Sequence, residues 1–225
     1  MELGGGRVFV GRFGGAVELT NPAVPGGVEW RHESPHRTSI TGEAPQVFGH
    51  GEALLALMPL NQGRELTCFD PATGAPRWTL PPHLCHDGFD VSLALLDDGA
   101  VYYPYRNRLI ARSLKDGREL WKLALPTGVG PWQVDRFGPS LLVWRRSFAG
   151  IPSVLAFADP LTAPCTVWFG RRGLAPLPIL LIDPTTGGIR QRFDLPHDHG
   201  PVFAQVHGDR LIATAGGAVH GFTPD

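Results

Sequence analysis

Two short stretches hold the residue types of a metal centre. His83, Cys85 and His86 lie in PPHLCHDG, and His197 and His199 lie in PHDHG. Neutral imidazoles and a thiolate are the donors zinc takes, so two such loops facing each other would build a site. Asp194, Asp198 and Asp209 stand close to the second stretch, with His207 beside Asp209. A His–Asp pair serves as a general base and its orienting group. The spacing argues for less. His-x-x-His and His-x-His recur in loops without metal, and the two stretches belong to repeat units two positions apart. No Gly-x-Ser-x-Gly elbow is present. Cys85 between two histidines becomes a nucleophile only if the fold supplies the geometry. The glycine-rich start, GGGRVFVGRFGG, lacks the Gly-Lys-Ser/Thr of a phosphate loop, and hairpin turns explain its glycines. The expectation is no catalytic residue and no cofactor, with His83, Cys85, His86, His197 and His199 as the alternative metal ligands.

Residues 148–177 carry a different kind of chemistry. The segment holds Phe148, Ile151, Val154, Leu155, Phe157, Val167, Trp168 and Phe169, followed by Arg171 and Arg172. Aromatic side chains beside arginines are the composition of binding hot spots. Phe148, Phe157, Trp168, Phe169, Arg171 and Arg172 are therefore the candidate partner contacts. The competing reading is that the segment folds back over an edge of the fold. Both readings bury the aromatics.

The elements that position these residues come from a repeat. LTCFDPATGAPRWTL (66–80), LIARSLKDGRELWKLAL (109–125) and ILLIDPTTGGIRQRFDL (179–195) share one plan. Each is an apolar strand, an Asp-rich turn ending in glycine, and a second strand with an aromatic. AVELTNPAVPGGVEW (16–30) is a looser copy, and AVHGFTPD (218–225) reaches only the turn. Asp accepts backbone N–H bonds inside such a turn, and Gly supplies the positive φ at its exit. The flanking strands read as alternating in polarity, hence half-buried. Trp30, Trp78 and Trp121 each follow a turn glycine by four residues. A position that repeats once per unit is architectural, and packing between neighbouring units is its expected role. In the copy at 179–195 that place is Gln191, with Phe193 on the same side.

The turn glycines at 26, 74 and 117 are 48 and 43 residues apart, the length of a four-stranded propeller blade. The step from 117 to 187 is 70 residues and contains the insertion. The reading is an all-β protein, one β-propeller domain over 1–225, of about five four-stranded blades. The first and last blades are incomplete, at three strands each. The unpaired edges this leaves are expected to pair with another protein chain or a second copy, through side chains such as Val219 and Phe222.

Composition agrees. The chain has 29 Gly, 22 Pro and only 18% charged residues, which suits short strands and tight turns. A net charge of -1 argues against nucleic acid as an obligatory partner. Three separated cysteines do not make a disulfide framework. No apolar run spans a membrane and no basic-then-apolar leader opens the chain, so a cytoplasmic location is expected.

Asp70-Pro71-Ala72-Thr73-Gly74 with Trp78, Asp116-Gly117 with Trp121, and Asp183-Pro184-Thr185-Thr186-Gly187 together resemble the repeat of quinoprotein-like β-propellers. Gly99-Ala100-Val101-Tyr102 matches the strand that precedes the turn. That family includes pyrroloquinoline-quinone dehydrogenases and the propeller lipoprotein of bacterial outer-membrane assembly. The dehydrogenases carry an adjacent Cys-Cys pair over the quinone. No two cysteines are adjacent here, so the resemblance points to the non-dehydrogenase branch. The expected function is a non-catalytic scaffold for protein–protein interaction within a larger bacterial assembly. The alternative is a small-ligand sensor or enzyme that uses the propeller channel and its His/Asp loops.

Overall fold

The run ALLALMPL has no polar residue, and the structure shows why. In the computed structural model it forms a central strand buried on both faces, Ala53–Leu60. The structure describes residues 3, 5–33, 44–50, 53–60, 63–81, 94–97, 99–105, 107–126, 132–145, 177–195, 203–207, 210–215 and 218–222. Among these, eighteen strands form five sheets in which each strand lies beside its sequence neighbour.

The first sheet is β1 (Val8–Arg12), β2 (Ala16–Thr20) and β3 (Val28–Glu33). The second is β4 (Gln46–His50), β5 (Ala53–Leu60), β6 (Gly63–Phe69) and β7 (Pro76–Leu80). The third is β8 (Leu95–Asp97), β9 (Ala100–Tyr105), β10 (Arg108–Ser113) and β11 (Glu119–Ala124). The fourth is β12 (Trp132–Phe137), β13 (Ser140–Arg145), β14 (Leu177–Ile182) and β15 (Ile189–Leu195). The fifth is β16 (Phe203–His207), β17 (Arg210–Ala215) and β18 (Ala218–Phe222). This three-four-four-four-three pattern is the one the repeat implied. Leu177, taken above as the end of the insertion, is the first residue of β14.

The chain divides into two compact units, Met1–Arg106 with Ile110–Leu120, and Asn107–Leu109 with Trp121–Asp225. In the first, β5 serves two cores. Leu54, Ala56 and Met58 pack with Phe9, Val17, Leu19 and Phe69. Leu55 and Leu57, pointing the other way, pack with Val101, Tyr103, Ile110 and Leu114. In the second, Phe137, Leu142, Trp144, Ile179 and Leu181 pack with Leu211 and Ala213. Each fully buried aliphatic side chain contributes about 1.5–3 kcal/mol of transfer free energy.

One sequence expectation changes here. The strands before the turns are not half-buried; β6, β10 and β14 are buried on both faces along most of their length. The last strands of the first four sheets, β3, β7, β11 and β15, alternate instead, with every second side chain exposed along most of their length. Phe222 also departs from its expected role. Its register partner is Leu211 and its ring lies 4.5 Å from that of Phe193, so it faces inward. Val219, opposite Thr214, is the exposed large apolar side chain of that strand.

Candidate functional site

The second, third and fourth sheets each have two different ends. At one, neighbouring strands are joined by the Asp-rich turns. At the other, the outermost strand of one sheet passes to the first strand of the next. The first is a rigid clasp, and the second is where the candidate chemistry lies.

The clasp is built from main-chain bonds. In the second sheet Asp70 Oδ1 accepts from the N–H of Ala72 (2.9 Å) and Thr73 (3.1 Å), and the Gly74 N–H donates to Asp70 O (2.8 Å). In the fourth, Asp183 Oδ1 accepts from Thr185 (2.8 Å) and Thr186 (3.0 Å). In the third, Ser113 takes the aspartate's place and Asp116 takes that of the threonine. Ser113 Oγ accepts from the Lys115 N–H at 3.2 Å, and Asp116 Oδ1 from the Arg118 N–H at 3.2 Å. Each tryptophan docks on the clasp of the following sheet. The indole N–H donates to Pro71 O from Trp30 (3.0 Å), to Leu114 O from Trp78 (2.9 Å) and to Pro184 O from Trp121 (2.8 Å). Each ring lies over the turn glycine, as expected for packing between neighbouring units. The fourth sheet has Phe193 tilted against Phe222 instead.

Charge tightens these turns. Arg77 donates to Asp70 Oδ2, and Arg190 donates from Nε (3.1 Å) and Nη2 to Asp183 Oδ2. The Arg190 bonds, with the N–H groups of Thr186 and Thr185, lower the Asp183 carboxyl from its usual value to about 2. A depressed folded-state pKa means the carboxylate stabilises the fold fully above the ordinary aspartate range, near 4. That contribution is lost as the pH falls toward 2. In a carbon-13 titration Asp183 is expected to protonate well below an ordinary aspartate, and Asp183→Asn to flatten the acid limb of the stability curve. An Asp183 midpoint at the ordinary value contradicts this.

At the other end, two groupings stand out. Phe13, beside the Gly14-Gly15 turn, is 84% exposed. It borders an open hollow of about 330 Å³ lined with Ala44, Gln46, Leu57, Pro59 and Arg64. Nearby on the same sheet, Glu18 is buried and bridges two arginines. Its Oε2 lies 2.8 Å from Arg12 Nε and its Oε1 lies 3.1 Å from Arg31 Nη1. In the fourth sheet, Trp132 and Arg145 lie opposite each other across β12 and β13. None of these was singled out in the sequence. Phe13 carried one usable signal, a large aromatic next to a double-glycine turn.

The sequence candidates fall mostly elsewhere. His83, Cys85, His86, His197, His199, Asp198 and Asp209 lie outside the described residues, as do Phe148, Phe157, Trp168, Phe169, Arg171 and Arg172. Residues 146–176 join Arg145 at the end of β13 to Leu177 at the start of β14. Asp194 is paired with Arg192 Nε at 2.9 Å on the solvent side of β15. Cys68, the one cysteine described, is buried against Leu114 O, and burial raises its thiol to about 11. It is packing, not a nucleophile. Among the described residues no cluster of His, Cys, Asp or Glu is arranged to hold a metal, and no helix is long and apolar enough to cross a membrane.

No curated protein matches the chain in sequence. Solved structures that it resembles include the computationally designed Ika8 protein, at 14% identity and a TM-score of 0.59, covering 99% of this chain and 57% of that one. A europium-containing methanol dehydrogenase is similar at 11% identity and a TM-score of 0.52, covering 97% of this chain and 49% of that one. BamB from Moraxella catarrhalis matches at 12% identity and a TM-score of 0.45, covering 96% of this chain and 81% of that one. The chain thus spans about half the length of the first two, and at such identities the likeness shows the fold alone. The family model described as outer membrane protein assembly factor BamB matches residues 2–143. With well over half its length matched, and its blades clasped by the Asp-turn and tryptophan repeat, the chain belongs to that family of PQQ-like repeat β-propellers.

Proposed function

We propose that this protein is a non-catalytic scaffold that holds another protein chain, or a second copy of itself, at the loop end of its blades. The observation that carries the reading is Phe13, 84% exposed beside a hollow bordered by Arg64. An aromatic anchor next to an arginine, over a concave surface, is hot-spot chemistry. The family description, an assembly factor, supports the same reading. Phe148, Phe157, Trp168, Phe169, Arg171 and Arg172 are a separate set of contacts in this reading, carried by the segment between β13 and β14.

The test is a pair of changes, Phe13→Ser and replacement of residues 148–176 by a Gly-Asn turn that leaves β14 intact. Each variant is expected to keep the circular dichroism and melting temperature of the parent. Each is also expected to lose the higher native mass of the assembled protein in light scattering. A replacement that unfolds the chain makes the segment a structural cover. Variants that keep their full assembled mass overturn the scaffold reading.

A further inference from the structure

We propose that Arg145 and Trp132 form a binding site for a small carboxylate at the loop end of the fourth sheet. Arg145 is 4% exposed and Trp132 is 3% exposed. Their strands pair them directly, and the guanidinium carbon lies 4.5 Å from the centre of the Trp132 ring. Arg145 Nη2 donates to Pro126 O at 2.8 Å. Among the described residues its Nε has no acceptor, and neither has the buried indole N–H of Trp132.

The other buried charged side chains among the described residues are answered. Glu18 has Arg12 and Arg31. Arg112 has Tyr103 Oη at 2.8 Å and Gly117 O at 3.0 Å, with Glu119 further off at 3.7 Å. Among the described residues no carboxylate makes an ion pair with Arg145. Burial pushes its guanidinium below the ordinary arginine range with no acid to offset it. A buried unmatched cation is costly, and each unmatched buried donor adds to that cost.

The two unmet groups are both donors, so the missing partner is an acceptor, and the cation makes an anion the best one. A guanidinium lying over an indole ring still has the Nε–H of its edge to offer. That edge matches the two oxygens of a carboxylate. The Trp132 N–H adds a neutral donor beside it. The proposal stands independently of the scaffold reading, because it uses none of the residues assigned to the protein contact.

The test follows the Arg145 Nε–H and Trp132 indole N–H resonances in the nitrogen-15 spectrum during titration with sodium acetate. Sodium chloride at the same ionic strength is the control. Both resonances are expected to move on one saturable curve with a roughly millimolar dissociation constant. Chloride is expected to move neither. Arg145→Lys is expected to weaken binding by about tenfold through loss of the bidentate edge, and Arg145→Met to abolish the indole shift. If a variant fails to fold, the wild-type titration still decides. No saturable shift, or an equal shift with chloride, overturns the proposal. A blocked glutamate amide tests a peptide-borne carboxylate. Binding of both probes supports the site for free and peptide acids, and binding of acetate alone restricts it to free acids. Binding of the blocked amide but not acetate overturns the small-ligand assignment.

Discussion

Replacing Gly74 with alanine is expected to destabilise the protein by about 2–5 kcal/mol, from left-handed strain and overpacking together. The residue sits at φ +70, and an added Cβ would lie 2.4 Å from Trp30 Cδ2, 2.6 Å from Cε3 and 2.8 Å from Cγ. The left-handed conformation costs an alanine roughly 1–2 kcal/mol. The remainder comes from forcing the indole off its seat, which also lengthens its bond to Pro71 O. Gly26 is the control. It has φ +83 with nothing within 4 Å of an added Cβ, so Gly26→Ala carries the strain without the clash. In a Trp30→Ala background, Gly74→Ala should fall to the cost of Gly26→Ala. Urea unfolding of the four variants measures this as a double-mutant cycle. Equal costs for the two glycines in the wild-type background would show that the indole does not lock the clasp.

This clasp was partly legible. Asp70, Gly74 and Trp78 announce themselves because each is a residue type that the local geometry demands, at a fixed spacing. What each tryptophan bonds to was not, because a backbone carbonyl has no signature in the sequence. Pro71 and Leu114 perform the same acceptor role with unrelated side chains. The third turn shows the limit in another way. Aligning Asp116 with Asp70 is natural by residue type, yet Ser113 occupies the capping position and Asp116 that of Thr73. The continuous runs of β5 and β13 signal burial on both faces. The shorter runs of β6 and β10 contain Thr67, Cys68 and Arg112, and so imitate a half-buried strand. The candidate site was the least legible part. Arg145 ends a strand next to a second arginine, the usual sequence of an exposed edge. Only the cross-strand pairing with Trp132 reveals that it is buried.

Arg112→Met is expected to cost about 2–4 kcal/mol, most of it from polar groups left without a donor in the core. Arg112 is only 9% exposed and stands one residue before the turn, where the second and fourth sheets have Phe69 and Ile182. A charged residue in that apolar place survives because its head is held on two sides. Nε donates to Tyr103 Oη and Nη1 donates to the carbonyl of Gly117, the clasp glycine itself. Methionine keeps the stem volume and removes both bonds. Tyr103 is 1% exposed, so water does not readily replace the lost donor at its hydroxyl. Removing Tyr103's hydroxyl together with Arg112 leaves only the Gly117 carbonyl without its donor, whereas Arg112→Met alone also orphans the hydroxyl. Tyr103→Phe with Arg112→Met should therefore cost less than the sum of the single changes, by about 1–2 kcal/mol of coupling. Arg112→Lys keeps the charge but cannot span both acceptors, so it should fall between wild type and Arg112→Met. If the two single changes add in full, the hydroxyl and guanidinium act separately. The position would then be held by the apolar stem of Arg112 alone.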